Sequence, residues 1–490
     1  MADFIQIHPM DNVAVALNAV AKGTCWNGIV ALEDIAPGHK MALKPLSNQD
    51  AIVKYGFSIG HATAQVMPGA WVHTHNMATN LSGEITYTYD PKGAALQPHP
   101  AATFRGYRRK NGKVGIRNEI WIIPAVGCVN DVAEALAREN QDLVHGNIDG
   151  LYAFPHPFGC SQTGQDHART RKMLAALAQH PNAGAVLVVH LGCENLTKEQ
   201  FVAELGDFDP QRIQFITCQE VEDELEAGRH ALEACAAYAG RFEREEIPAS
   251  ELVIGMKCGG SDGLSGITAN PVVGAFSDML IAQGGSTVLT EVPEMFGAEG
   301  MLMDRCVDEA VFRKATQMLN GFKSYFLAHN EVVYENPSPG NKDGGITTLE
   351  DKSCGCVQKG GTAPIVDVIG YGAQVTGRGL HLLDGPGNDL VSATALTAAG
   401  AHMVLFTTGR GTPFGAPAPT MKIATNTSLA TKKSQWIDFN AGVVADGVKT
   451  ISETAQELMD HVLSVASGAQ TKAEEKGYRQ IAIFKGGVTL

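Results

Sequence analysis

The chain has 490 residues, 44% of them hydrophobic and 18% charged, with a formal net charge of −14. That length exceeds what one hydrophobic core supports, so two or three domains are expected, and the acidity argues against a nucleic-acid partner, which needs a basic footprint. An anionic substrate would have to be held by a few local cations and backbone N–H groups against an unfavourable overall field.

Met1 to Pro9 carry neither a basic start nor an apolar stretch, and no run approaches twenty apolar residues. A cytoplasmic protein without a secretory signal or a membrane span is expected. The ten cysteines then read as thiols or ligands, not as a disulfide framework.

Residues 1–90 predict a small β-rich module. Ile5, Ile7, Val13 and Val15 follow a strand period, and Ala36-Pro37-Gly38 and Met67-Pro68-Gly69 are turn phrases. Residues 91–104 carry three prolines and read as a linker. Residues 105–248 repeat a strand–turn–helix rhythm, with strands at 120–124, 150–154 and 185–189 and Asp131 placed to cap a helix. Residues 249–490 form a second α/β region with strands at 252–256, 286–291, 402–406 and 481–484 and a helix from about Pro271. Residues 335–361 read as one long glycine- and proline-rich loop. Glu222-Asp223-Glu224 reads as a solvated helix face, and Met295, Met301 and Met303 read as core filler.

Repetition is the strongest chemical signal. Cys128, Cys160 and Cys193 each follow a hydrophobic strand and a glycine, and Cys258 ends a fourth strand. Ligands bind beyond the carboxyl ends of strands in open α/β sheets, so four thiols sent there could converge on a soft metal. The alternative is buried cysteine acting as a small apolar residue. Glu194, Asp262 and Glu291 add hard ligands, and His156 precedes Cys160; the mixture suits Fe²⁺ or Mn²⁺. The carboxylates could equally be helix caps.

Gly259, Gly260 and Gly263 allow close backbone approach to an anion ahead of a helix N-terminus. Arg410, in Gly409-Arg410-Gly411, could grip a carboxylate bidentately or be an ordinary surface arginine. With Ser261 and Asn270, the candidate substrate-binding set is Gly259, Gly260, Ser261, Asn270 and Arg410. His73-Thr74-His75 would place two imidazoles on one strand face, facing either a site or solvent. Cys354-Gly-Cys356 could be redox-active, a signal of low specificity in a loop.

These residues resemble the altronate/galactarate dehydratase family over essentially the whole chain. The similarity lies in Gly115-Ile116-Arg117-Asn118-Glu119, Gly127-Cys128-Val129-Asn130, Gly192-Cys193-Glu194-Asn195, the run from Cys258 to Pro271, Asn336-Pro337-Ser338-Pro339-Gly340-Asn341-Lys342 and Thr408-Gly409-Arg410-Gly411-Thr412-Pro413. His73-Thr74-His75-Asn76, the run from Thr290 to Gly297 and the closing Phe484 to Leu490 look like the altronate branch. The resemblance implies an α/β fold with a β-clip N-terminal module of the SAF type, a middle dimerising region and a Rossmann-like C-terminal domain with a largely parallel sheet. It also implies a homodimer, dependence on Fe²⁺ or Mn²⁺, and dehydration of D-altronate to 2-dehydro-3-deoxy-D-gluconate. Galactarate dehydratase, a sulfolactate sulfo-lyase and a non-enzymatic sugar-acid binding protein are the alternatives.

Such a reaction removes a weakly acidic proton beside a carboxylate and expels the next hydroxyl, so it needs a base and stabilisation of an enediolate. The expected catalytic set is His156 first, then Lys342, with His73 and His75. The expected metal set is Cys160, Cys193, Glu194, Cys258, Asp262 and Glu291.

Overall fold

The computed structural model describes residues 3–93 and 95–487; Met1, Ala2, Ala94 and Val488-Thr489-Leu490, the end of the family-like closing phrase, lie outside the described residues. The N-terminal module is all β. Its main sheet runs Phe4–Ile5, Val13–Ala16, Lys40–Ala42, Trp71–Val72, antiparallel throughout, and Ala51–Lys54, Phe57–Ala62 and Met77–Ala78 form a second sheet. Short strands joined by positive-φ glycines are what the turn-rich sequence dictates.

No helix or strand forms between Ala78 and Thr103 among the described residues, yet this stretch is not a free tether. Leu81, Tyr87, Tyr89 and Leu96 pack on the main core. The Tyr87 hydroxyl donates to Glu299 at 3.0 Å and accepts from Lys323 at 2.9 Å. The segment is a strap lying along the C-terminal domain. The strand Thr103–Arg108 then pairs antiparallel with Arg244–Pro248, so the chain enters and leaves the middle region at one place.

The middle region holds a four-stranded parallel sheet in the spatial order Gly150–Ala153, Glu119–Pro124, Ala183–His190, Ile213–Thr217. The C-terminal region holds a seven-stranded parallel sheet: Ile365–Ile369, Gly379–Leu383, Ser286–Leu289, Val253–Cys258, Met403–Thr408, Thr420–Ala424, Phe439–Asn440. Its strands are hydrophobic almost end to end because helices cover both faces. The winding reverses beside Val253–Cys258, where the next strand in sequence lies on one side and Met403–Thr408 on the other. A switch of this kind leaves a crevice at the carboxyl ends of the strands.

Three local expectations are corrected. Residues 335–361 are not one loop: they carry the helices Pro339–Asp343 and Leu349–Cys356 and a 3-10 turn at Val357–Gly360. Residues 481–484 form no strand, because no neighbour pairs with them. Asp131 stands inside the first turn of the helix Asn130–Glu139, after the N-cap Val129, while Asp223 caps the helix Glu224–Ala239 by accepting from Leu225 and Glu226 N–H.

Candidate active site

The four strand-end cysteines divide between two sheets. Cys128, Cys160 and Cys193 follow strands of the middle sheet, and Cys258 ends a strand of the C-terminal one. The expected convergence of four thiols is corrected accordingly. Cys128 and Cys193 are exposed and Cys160 is half-buried. Cys193 accepts a contact from Gln219 at 3.4 Å. Glu194 is tied to His190 Nδ1 at 2.6 Å and to the N–H of Gly192 at 2.6 Å, which makes it the brace of its own loop.

Cys258 instead meets two residues outside the expected set. Among the described residues, one group of three or more His, Cys, Asp or Glu side chains brings its donor atoms within 4.8 Å of one another: Cys258, Glu294 and Cys356. The two Sγ atoms lie 3.4 Å apart as free thiols, and each is 3.2 Å from Glu294 Oε2. All three residues are buried. Cys258 arrives from the end of its strand, Glu294 from the 3-10 turn Val292–Met295, and Cys356 from the last turn of Leu349–Cys356. Hydrogen bonding to Cys258, together with burial, pushes the Cys356 thiol well above its ordinary value. Burial alone would raise the Glu294 carboxyl, but the Lys352 and Lys359 charges outweigh it and hold it at about 2.

Charges around the thiols balance. Lys257 contacts Glu291 at 3.1 Å and Asp389 at 2.6 Å, Lys352 contacts Glu294 at 2.9 Å, and Lys359 reaches Glu291 at 3.5 Å. Three lysines thus face three carboxylates. Glu291, expected as a ligand, spends its oxygens on Lys257, Lys359 and the Cys258 N–H at 2.9 Å, and turns at a φ of 71° to do so. Asp262, also expected as a ligand, is half-buried among neutral donors, with Ser265, Thr425 and Asn426 at 3.0, 2.9 and 3.1 Å.

A narrow cavity adjoins the cluster, lined by Lys54, Tyr55, Ser261, Asn270, Asp351, Lys352 and Cys356 among others. Ser261 Oγ is buried there without a hydrogen-bond partner among the described residues. Asn270 has both ends of its amide engaged, by Gly355 O at 2.9 Å and Thr407 at 2.7 Å, so it shapes the wall. The N-terminal module closes the other side. Lys40 and Lys54 share Asp351 at 2.7 and 3.0 Å, leaving one positive charge unmatched at the seam. A Cβ on Gly263 would come within 1.9 Å of Gly38 O, so this glycine serves the docking of the module and not the approach of a ligand. Gly259 faces Phe406 and Asp389, and Gly260, at a φ of 62°, faces Thr408 and Arg410. Arg410 itself is exposed and donates to Gly340 O at 3.1 Å, outside the cavity wall.

His73 and His75 are corrected too. They sit in a turn between strands, where His73 is buried and His75 exposed, although both rings lie against Trp71. His73 Nδ1 faces Thr347 Oγ1 at 3.0 Å, and burial holds its imidazole at about 4. His156 is locked by backbone at both ring nitrogens, Nε2 to Pro124 O at 2.6 Å and Nδ1 from Phe158 N–H at 3.1 Å, which leaves no nitrogen for proton transfer. Lys342 is half-buried and makes no ion pair among the described residues.

Comparison with known proteins accords with this architecture. Residues 2–80 match the altronate/galactarate dehydratase SAF domain, 106–240 the D-galactarate dehydratase/altronate hydrolase second domain, and 249–489 the D-galactarate/altronate dehydratase C-terminal domain. The chain belongs to the altronate/galactarate dehydratase family, a class of hydro-lyase enzymes. It is 52% identical to the altronate dehydratase of Escherichia coli K12, over 99% of this chain and 100% of that protein, and 50% identical to that of Bacillus subtilis 168, over 100% of both. The galactarate dehydratase (L-threo-forming) of Escherichia coli K12 is 34% identical, over 99% of this chain and 97% of that protein.

Proposed function

We propose that this chain dehydrates D-altronate to 2-dehydro-3-deoxy-D-gluconate, with Fe²⁺ or Mn²⁺ held by Cys258, Glu294 and Cys356. Full-length identity near one half to two altronate dehydratases, against 34% to a galactarate dehydratase, supports the substrate. The observation that carries the reading is the buried thiol–thiol–carboxylate cluster beside a cavity with an unpartnered hydroxyl.

The donor set fits a divalent ion. With neutral thiols the surrounding lysines and carboxylates cancel, so loss of both thiol protons adds two negative charges that one divalent cation neutralises. Two thiolates with one carboxylate favour Fe²⁺ over the harder Mn²⁺. A bound divalent ion supplies Lewis acidity for the charge that develops beside the substrate carboxylate.

The remaining work falls to the chain's own groups. Lys352, kept charged by Glu294 and the thiols, and the unmatched charge shared by Lys40 and Lys54 attract the carboxylate against the protein's overall negative field. Ser261 Oγ receives a sugar hydroxyl. His73, at the seam with its Nδ1 3.0 Å from Thr347 Oγ1, is the candidate proton acceptor for C2.

The test is an assay for 2-keto acid with altronate and galactarate on chelator-stripped protein, before and after Fe²⁺ or Mn²⁺. Metal-dependent turnover of altronate is expected. Full activity without metal rejects the ion, and turnover of galactarate alone rejects the substrate.

A further inference from the structure

The middle region carries a second hollow that the dehydration does not use. Arg109, Lys110, Lys113, Gln179, Phe208, Arg212 and Tyr238 line an open cavity of about 450 Å³, within the range of small-ligand sites. Its floor holds two arginines almost wholly removed from solvent, Arg109 at 5% exposure and Arg212 at 8%. Neither has an acidic partner within ion-pair distance among the described residues, and nor does Lys113.

Buried cations without counter-charge are costly and are normally paired. Arg109 is at least engaged at each guanidinium nitrogen by a neutral acceptor, Pro181 O, Asn118 Oδ1 and Arg117 O at 2.7–2.8 Å. Arg212 is not. Its Nη2 donates to His180 O at 2.7 Å and Ala183 O at 2.9 Å, while its buried Nε has no partner among the described residues. Burial, then the charge of Arg212, pulls the Arg109 guanidinium down to about 9, a sign that the two repel. Asp207 and Asp209 also line the hollow, and Asp209 offsets the lowering at Arg212 only in part. Asp209 is taken by Lys110 at 3.2 Å and the Tyr238 hydroxyl at 2.7 Å, and Asp207 is exposed.

We propose that this hollow is a binding site for the phosphate group of a small metabolite, separate from the dehydration site. Three cations without an ion-pair partner among the described residues match a dianion better than a single carboxylate does. A guanidinium with an unpartnered Nε suits a phosphate oxygen, and Phe208 and Tyr238 line the same hollow for whatever the phosphate is attached to.

Titration calorimetry on the full chain, with inorganic phosphate as the probe and D-altronate as the control ligand, tests this. Phosphate should bind with a Kd below about 1 mM, and altronate should not compete for it. Lys113→Gln removes a cation whose only side-chain hydrogen bond among the described residues goes to Gln374 at 2.7 Å, so the fold is kept. It should weaken phosphate binding about tenfold, the worth of one charge-assisted hydrogen bond, with altronate turnover in phosphate-free buffer unchanged. Arg212→Gln should abolish binding, and crystals soaked in phosphate should show density beside Arg212. No binding by the parent chain, equal binding by Lys113→Gln, or density elsewhere would each overturn the proposal. Loss of altronate turnover in the parent chain would strike the dehydration reading alone.

Discussion

The cluster turns on one residue that periodicity could not single out. Cys258 was legible because it ends a hydrophobic strand, and its partners were not. Glu294 lies three residues beyond Glu291, in a turn whose left-handed first residue sends one carboxylate to the lysines and the next to the thiols. Cys356 belongs to Cys354-Gly-Cys356, where only the second thiol reaches the cluster; Cys354 lies 4.0 Å from Gly297 O, and burial pushes its thiol up. Sequence spacing fixes which thiols share a helix, but not which helix end packs on which strand. Cys258→Ser and Cys356→Ser should therefore each lower metal affinity by more than about tenfold and abolish turnover, since a hydroxyl does not ionise to replace a thiolate. Cys160→Ser and Cys193→Ser, on the other sheet, should keep both. Metal analysis of the purified variants decides, and full metal retention in Cys356→Ser would dissolve the proposed centre. At the proton-acceptor position, His73→Ala should lower kcat at least about a hundredfold with KM little changed, whereas the exposed His75→Ala should leave kinetics unaltered. Equal loss in the two variants would point to the Trp71 packing they share.

Among the elements, the parallel strands were readable because each is a short apolar run bounded by glycine, and burial on both faces demands that pattern. The helix Leu349–Cys356 was not readable. All eight of its residues are buried, including Glu350, Asp351 and Lys352, so its polar sequence has no amphipathic period and reads as loop. Its polarity is satisfied across the seam: Asp351 takes Lys40 and Lys54, Glu350 accepts from the Asn80 N–H at 2.6 Å and from Thr79 at 2.9 Å, and Thr348 donates to Ile59 O at 2.5 Å. The N-terminal module thereby holds the element that delivers Lys352 and Cys356. Asp351→Ala would strand two buried ammonium groups, so destabilisation of about 3–5 kcal/mol is expected, with loss of activity in whatever remains folded. Chemical denaturation measures it. A cost below about 1 kcal/mol would place this pair with solvent-screened ion pairs and remove the module from the support of the site.

Across the molecule, one core runs from the β module through the C-terminal sheet, and a second joins the middle sheet to the other face of that C-terminal sheet. Within the expected linker 91–104, Leu96 and Ala102 pack on that shared core, as Tyr87 and Tyr89 do just before it, contacts that three prolines and weak periodicity do not reveal. A continuous interior also removes many imidazoles from water, and this sets the response to acid. Burial lowers His156 and His402 to about 4, against an ordinary 6.5. In the unfolded chain both take up protons near 6.5, while the fold defers uptake to about 4. Between these values the unfolded state binds more protons, so stability is full above about 6.5 and falls as pH drops toward about 4. For two such groups the slope approaches about 3 kcal/mol per pH unit within the window. Glu294 is held at about 2, so its contribution is present above the usual carboxylate range and is lost only on further acidification. Urea midpoints should therefore stay level from pH 8 to 7 and decline steeply between pH 6 and 4. His402 accepts from the Val253 N–H at 2.9 Å and faces Val114 O at 2.7 Å, so His402→Gln should flatten that decline at the cost of lower stability at pH 8. A midpoint that holds constant down to pH 5 in the parent protein would mean that these imidazoles titrate normally in the fold.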